Sequence, residues 1–140
     1  MGRKVILWPK ITIWVAARNE ENNIIECLQQ LEKLDYPSEQ LQILIGNDGS
    51  TDATASLVAD FITNKPIFEL IEITETINNQ RGKANVLANL YKSSTGDYFL
   101  ITDADVSVNT KWAKGMLKNF LKNNFLGHQV GVTSIKSNNF

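Results

Sequence analysis

Apolar segments with strand character alternate in this sequence with segments whose apolar residues recur at helical spacing. The strand-like segments are residues 11–16 (ITIWVA), 41–46 (LQILIG), 67–73 (IFELIEI), 97–102 (DYFLIT) and 128–135 (HQVGVTSI). The helix-like segments are residues 23–34, a stretch that ends at Phe61 with Ser50 or Thr51 as its N-cap, and residues 84–92 and 111–122. Helices between successive strands predict βαβ crossovers. We therefore expect a three-layer α/β/α fold with a mainly parallel sheet.

Three of these segments carry finer predictions. Residues 11–16 are nearly all apolar, as in a central strand covered on both faces, whereas residues 67–73 alternate and fit an edge strand or a half-exposed one. The helix over residues 111–122 has an apolar stripe, predicted to be buried, of Trp112, Ala113, Met116, Leu117, Phe120 and Leu121. A row of four lysines on the same helix is interpreted as solvated surface.

Composition limits the class of protein. The chain has 140 residues, and no Pro-, Gly- or Ser-rich stretch divides it, so we expect a single domain over residues 1–140. A hydrophobic fraction of 43% excludes a disordered chain, and a net charge of −1 argues against a basic surface for nucleic acid.

The single cysteine and the N-terminal residues indicate the cellular setting. Cys27 is the only cysteine, so no disulfide can form within the chain, and its helical spacing with neighbouring leucines predicts a buried thiol. Pro9 and Lys10 interrupt the apolar run of residues 5–8, which is too short for a signal peptide or a membrane segment. We expect a cytoplasmic protein.

Polar clusters follow three of the predicted strands. They are ARNEEN after the first strand, NDGSTD after the second and DADVS after the fourth. Taken singly, the first is better interpreted as the solvated start of a helix and the second as a turn. In open parallel sheets, however, ligands bind outside the carboxyl ends of the strands. Three clusters at one edge therefore predict a ligand site there.

Asp103 and Asp105 are the most informative pair in these clusters. If the strand continued through both residues, alternation would send both carboxylates to the same side, where like charges repel unless a cation lies between them. Paired carboxylate oxygens suit Mg²⁺ or Mn²⁺, which commonly share their ligands with substrate phosphates. The pair is predicted to hold a metal ion and a diphosphate.

Other devices for binding phosphate are mostly excluded. Neither G-x-G-x-x-G after a strand nor G-x-x-x-x-G-K-[ST] occurs. Arg81 and Lys83 precede a helix and either bring positive charge to an anion or belong to a mobile basic loop. His128 has no Ser or Cys partner in the sequence pattern and is interpreted as surface.

Four blocks of sequence resemble a known family. WVAARNEENNI, IGNDGSTDAT, RGKANVLAN and YFLITDADV are similar, in this order, to blocks of the family 2 glycosyltransferases, and the resemblance extends from about residue 11 to residue 135. It implies the GT-A fold and the inverting transfer of a sugar from a nucleotide diphosphate-sugar, usually linked to UDP. The implied acceptor is a saccharide or a lipid.

The resemblance also implies roles for residues. Ala16, Arg18 and Glu20 would line the nucleotide pocket, with the Ala16 backbone at the base and Glu20 near the nucleoside. Asp48 would accept a hydrogen bond from uracil, and Lys83 would approach the nucleotide.

The metal-binding roles are carried over in the same way. Asp103 would lie near the ribose and the metal, and Asp105 would ligate a Mn²⁺ or Mg²⁺ ion that bridges the diphosphate.

The chain departs from the family pattern near its end. The acidic general base and the QxxRW-like block that follow the fifth strand in the family are absent, so the resemblance implies a donor-binding portion without the acceptor half. We expect an N-terminal portion of a longer enzyme, at the inner face of a membrane in some such proteins, with an exposed sheet edge that favours a homo-oligomer.

Three alternatives remain open at the level of sequence. A non-catalytic nucleotide-sugar-binding module or an assembly subunit would bind the same donor. A receiver-type signalling domain fits the size but would carry its acidic pair after the first strand. A sugar nucleotidylyltransferase would carry a glycine-rich loop there, which this chain lacks.

Overall fold

The computed structural model describes residues 7–123 and 132–134, and they form an α/β fold built on one parallel sheet. The strands are β1 Ile11–Ala17, β2 Leu41–Asn47, β3 Phe68–Glu72, β4 Tyr98–Asp103 and β5 Val132–Ser134. The α-helices are α1 Ile24–Glu32, α2 Thr54–Phe61, α3 Gly82–Lys92 and α4 Trp112–Asn123, and a 3₁₀ turn covers Ser38–Gln40. Every predicted strand and helix is therefore present, with bounds that differ by a few residues.

The strand order of the sheet is β3-β2-β1-β4-β5, and all neighbouring pairs are parallel. β1 lies at the centre between β2 and β4, as its apolar sequence predicts, and the alternating β3 lies at an edge. β5 forms the other edge over the three residues described; the rest of its predicted range, with His128, lies outside the described residues.

The sheet separates two layers of core. Alternate side chains of β1, among them Ile13 and Val15, face the helices α1, α2 and α4, whose buried residues include Leu28, Val58 and Leu117. These apolar contacts remove water from one whole face of the sheet. The loops that follow β1 and β2 lead into α1 and α2, two of the helices on this face.

The opposite face of the sheet is covered by α3. Trp14 and Leu44 contact Val86 and Leu90 of this helix in a second buried cluster. Gly46 of β2 permits the close approach, because a Cβ atom there would lie 2.7 Å from Cγ1 of Val86. The three-layer α/β/α prediction is thus confirmed.

Two local predictions are wrong. The helix α2 begins at Thr54 and not after Ser50 or Thr51, and the Thr54 amide donates to Oδ1 of Asp52 at 2.9 Å. Leu121 was predicted to be buried, but it is 36% exposed on α4. The first difference is local, because the Thr54 amide binds Asp52 two residues before it. The second is a matter of packing that helical periodicity does not encode.

None of the helices in the described part of the chain has the length and apolar character required to cross a bilayer.

Candidate ligand site at the carboxyl edge of the sheet

Three loops meet at the carboxyl ends of β1, β2 and β4. The parallel register pairs Ala16 with Asp103 and Ala17 with Asn47, so the residues that follow these strands lie side by side. The Asp48 amide donates to the Ala17 carbonyl at 2.9 Å and extends this pairing one residue beyond β2. The carboxyl ends of β1, β2 and β4 therefore form one continuous surface, here called the strand-end surface.

A cleft of about 300 Å³ lies next to the strand-end surface. Its lining includes every residue predicted to bind the nucleotide, together with Ala17, Gly82 and Val86; the predicted residues are Ala16, Arg18, Glu20, Asp48, Lys83 and Asp103. The structure thus brings together side chains that are up to 87 positions apart in the sequence, from Ala16 to Asp103. Their role in binding stays a prediction.

The cleft combines both signs of charge. Nζ of Lys83, at the start of α3, forms an ion pair with Oδ1 of Asp103, at the end of β4. The Lys83 side chain is 44% exposed and that of Asp103 is 23% exposed, so solvent reaches the pair. This ion pair joins the layer of α3 to the sheet across the cleft.

Asp105 lies outside this cleft. β4 ends at Asp103, and the Val106 amide donates to the Asp103 carbonyl at 3.2 Å, which places Asp105 in a turn. Asp105 lines a smaller neighbouring cleft of about 50 Å³ with Glu26 and Gln30. The expectation that strand alternation aligns Asp103 and Asp105 is therefore wrong, because the strand does not continue between them.

Arg81 is likewise separated from Lys83. It precedes α3 and lines an adjacent polar cleft of about 430 Å³ with Asn79 and Gln80, and Gly82 borders both clefts. Of the two basic residues considered from the sequence, the structure brings only Lys83 to the cleft with Asp103.

The described residues, 7–123 and 132–134, contain no group of three or more His, Cys, Asp or Glu side chains arranged to hold a metal ion. Cys27 lines the smaller cleft together with Glu26 and Asp105. Burial is the main cause that raises the pKa of its thiol to about 12, and the negative charges of Glu20, Asp105 and Asp103 raise the pKa further.

The raised pKa of Cys27 leads to a testable expectation. A thiol whose folded-state pKa exceeds its ordinary value contributes stability that is fully present below about pH 9 and lost as pH rises towards about 12. The difference in unfolding free energy between wild type and Cys27→Ala should therefore shrink over this window. Chemical denaturation of both chains from pH 7 to 10.5 measures it, and a constant difference would contradict the buried, protonated thiol.

Sequence reasoning missed the residues that hold the loops of the cleft. Asn19, Asp52 and Thr54 lie within the blocks that resemble the family, but the local sequence predicts no role in the cleft for them. In the structure their side chains bridge the loop after β1 and the loop after β2. The sequence offered one signal, since Asp and Thr before a helix are residues that cap backbone amides.

The fold and this cleft define a class: α/β proteins that bind a ligand at the carboxyl edge of an open parallel sheet. Comparison with known proteins gives the family. The profile described as "Glycosyl transferase family 2" matches residues 12–140, and the chain belongs to this family.

A curated relative is the poly-beta-1,6-N-acetyl-D-glucosamine synthase of Staphylococcus epidermidis, which is 32% identical over 127 residues. The alignment covers 91% of this chain and 29% of that relative. The chain therefore spans less than a third of the length of the synthase.

Two solved structures share the fold. The mannosyltransferase PcManGT from Pyrobaculum calidifontis, in complex with GDP-Man and Mn²⁺, has a TM-score of 0.71 and 32% identity, covering 79% of this chain and 32% of its own. S. aureus TarS in complex with UDP-GlcNAc has a TM-score of 0.65 and 28% identity, covering 83% of this chain and 32% of its own. The GT-A fold predicted from the sequence is confirmed by these neighbours.

Proposed function

We propose that this chain binds the donor of a glycosyltransferase, a UDP-linked sugar, for inverting transfer to a saccharide or lipid acceptor. The observation that carries the proposal is the single cleft that gathers Arg18, Glu20, Asp48, Lys83 and Asp103 at the carboxyl edge of the sheet. Membership of glycosyl transferase family 2, and the nucleotide sugars bound to PcManGT and TarS, support it.

The charges of the cleft suit the two ends of a nucleotide diphosphate. The Asp48 carboxylate, at the end of β2, is available to accept a hydrogen bond from a uracil N–H. Lys83 and Arg18 offer the cations that a diphosphate requires, and Lys83 stands at the N-terminal end of α3, where the helix dipole favours an anion. We place the base near Asp48 and the diphosphate near Lys83.

The carboxylates of Asp103 and Asp105, which line neighbouring clefts, suit a divalent ion, Mn²⁺ or Mg²⁺, by their chemistry. Asp103 and Asp105 would supply hard carboxylate oxygens, and ions of this kind complete their coordination with water and substrate phosphate instead of a full set of protein ligands. When bound, the ion would neutralise charge on the leaving diphosphate.

Inverting transfer also needs a base that deprotonates the acceptor hydroxyl as it attacks the sugar. We propose that this base and the acceptor site lie in the part of such proteins that this chain does not cover, since the chain spans 29% of the staphylococcal synthase. The cytoplasmic location and a homo-oligomer formed through a sheet edge stay predictions.

Calorimetric titration of the chain with UDP, with and without Mn²⁺, tests the proposal. We expect binding that requires Mn²⁺ and that Asp48→Ala weakens about tenfold, because a charge-assisted hydrogen bond to the base is lost. Asp60→Ala, which removes an exposed carboxylate from α2, is the matched control and should leave the affinity unchanged.

Two further arms sharpen the result. GDP in place of UDP tests whether Asp48 selects uracil, and Asp105→Ala tests whether the residue in the neighbouring cleft still serves the metal. Equal weakening by Asp48→Ala and Asp60→Ala, or a folded chain that binds no UDP, would contradict the proposed function.

A further inference from the structure

The loops that follow β1 and β2 are joined by a dense set of hydrogen bonds, here called the loop clamp and formed by residues 19–21 and 50–54. Three consecutive backbone amides of the first loop donate to side chains of the second loop or of Thr54, the first residue of α2. Asn19 donates to Oγ of Ser50 at 2.9 Å, Glu20 to Oγ1 of Thr54 at 2.8 Å, and Glu21 to Oδ2 of Asp52 at 3.2 Å.

Side chains of the first loop return the contacts. Oδ1 of Asn19 accepts the Thr51 amide at 2.8 Å, and Oε1 of Glu21 accepts the Ala53 amide at 3.0 Å. Asn19 adopts a φ of +53°, a left-handed conformation that Asn tolerates better than most residues. The reciprocal pattern fixes the two loops relative to each other and not only within themselves.

Thr54 is the buried centre of the loop clamp. Its side chain has 0% exposure, and its hydroxyl both accepts the Glu20 amide and donates to Oδ1 of Asp52 at 2.5 Å. A buried hydroxyl with one donor and one acceptor partner can hold only one orientation. The backbone position of Glu20 is therefore set by Thr54, and the orientation of Thr54 is set by Asp52.

The charge on Asp52 is stabilised by these contacts. Desolvation acts to raise its pKa, but the hydrogen bonds from the Thr54 side chain, the Thr54 amide and the Glu21 amide together lower the pKa below its ordinary value. Asp52 thus remains an acceptor at neutral pH.

The position of the loop clamp links it to the cleft. Arg18 and Glu20 line the cleft from the loop after β1, and Asp48 lines it from the loop after β2. The hydrogen bonds of the loop clamp join these same two loops. Thr54 and Asp52 do not line the cleft. Any effect they have on a ligand must pass through the placement of Glu20 and its neighbours.

We propose that Thr54, oriented by Asp52, is a positioning residue that preorganises Glu20 for nucleotide binding. This inference rests on the proposed function, because the ligand whose affinity reports the positioning is UDP with Mn²⁺. Preorganised loops bind more tightly because less conformational freedom is lost when the ligand arrives. The loop clamp thus joins, through hydrogen bonds, the two segments that line one side of the cleft.

The test compares Thr54→Val, Thr54→Ser and Thr12→Val. Valine keeps the shape of threonine but removes the hydroxyl, and serine restores it. Thr12 is the matched control, because it is also 0% exposed and its hydroxyl also has two partners, Gln42 at 2.7 Å and the Gly96 amide at 2.9 Å. It lies near the amino end of β1, away from the cleft.

We expect Thr54→Val to weaken UDP binding roughly three- to tenfold, the worth of one hydrogen bond, whereas Thr54→Ser retains most of the affinity. Thr12→Val should lower stability without changing the UDP affinity. If Thr54→Val and Thr12→Val changed the affinity equally, or not at all, Thr54 would be structural only and the inference would be overturned.

Amide hydrogen exchange of the protein without nucleotide gives a readout that does not depend on the proposed function. The Glu20 amide should exchange faster in Thr54→Val than in wild type and Thr12→Val, and serine should restore its protection. If wild type bound no UDP, the proposed function would fail, but exchange at Glu20 would still decide whether the loop clamp positions this residue. Unchanged exchange in Thr54→Val would overturn it.

Discussion

Lys83→Met is expected to change the binding of metal and nucleotide in opposite directions. Lys83 neutralises Asp103 through their ion pair, so a Mn²⁺ ion that approaches Asp103 alone must compete with the ammonium group. Methionine keeps much of the side-chain volume and removes this competitor. Mn²⁺ should therefore bind the variant about two- to fivefold more tightly than wild type, a modest gain because solvent screens the partly exposed pair.

The same substitution should weaken UDP binding in the presence of Mn²⁺. If Lys83 leaves Asp103 for the diphosphate when the nucleotide binds, its loss removes a hydrogen bond between charged groups, which contributes about 1.5–3 kcal/mol. We therefore expect a loss of roughly 10- to 100-fold in UDP affinity. Calorimetry with Mn²⁺ alone, and then with UDP at saturating Mn²⁺, separates the two effects.

Lys92→Met is the matched control for this experiment. Lys92 ends the same helix, α3, and its Nζ forms an ion pair with Glu75 at 3.1 Å, but it does not line the cleft. It should leave both affinities unchanged. Weakened binding of Mn²⁺ alone to Lys83→Met would show that the lysine does not compete with the metal for Asp103.

The location of the cleft could be predicted from the sequence for a geometric reason. Parallel strands joined by helical crossovers bring their carboxyl ends to one edge, so polar residues that follow β1, β2 and β4 must lie close together. Ala16, Asp48 and Asp103 needed no more than correct strand assignments to be placed in one cleft. Lys83 came from the resemblance, since its own local sequence also fits a mobile loop.

The position of Asp105 could not be predicted from strand assignments. Its placement depends on whether β4 continues for two residues, and no side-chain pattern in the sequence decides that. The Val106 amide closes a turn on the Asp103 carbonyl, so the strand ends and the period of two no longer applies. Asp105 therefore lies in a turn and lines the neighbouring cleft, apart from Asp103.

The loop clamp was hidden from sequence reasoning for a different reason. Ser50 was predicted to cap a helix because serine favours that position locally. In the fold its hydroxyl accepts the Asn19 amide, 31 residues away, and the helix begins four residues later at Thr54. Local propensity gave the kind of hydrogen bond that Ser50 makes, but only the tertiary structure could supply its partner.

Gly96→Ala is expected to be strongly destabilising, although it adds a single methyl group. A Cβ atom at this position would lie 2.5 Å from the Thr12 backbone nitrogen and 2.6 Å from the Ile11 carbonyl carbon. These atoms belong to the main chain of β1, the central strand, and cannot move aside like the end of a flexible side chain. β1 and the start of β4 must separate, and the hydrogen bond from the Gly96 amide to the Thr12 hydroxyl would be weakened with them.

We expect Gly96→Ala to lower the free energy of unfolding by about 3 kcal/mol, the upper part of the usual range for overpacked sites. Gly115→Ala is the control, because it makes the same chemical change in α4, where a Cβ atom would have no neighbour within 4 Å. Alanine in place of glycine within a helix should stabilise the protein by up to about 1 kcal/mol. Urea denaturation of the two variants beside wild type measures both changes.

The opposite signs make the comparison decisive. A fold in which β1 and β4 are neighbours over Ile11 and Tyr98 leaves no room for the alanine at position 96, whereas any surface helix accepts the one at position 115. If Gly96→Ala were as stable as wild type, the register between β1 and β4 described here would be wrong. The pairing of Ala16 with Asp103, and with it the shape of the cleft, would then have to be revised.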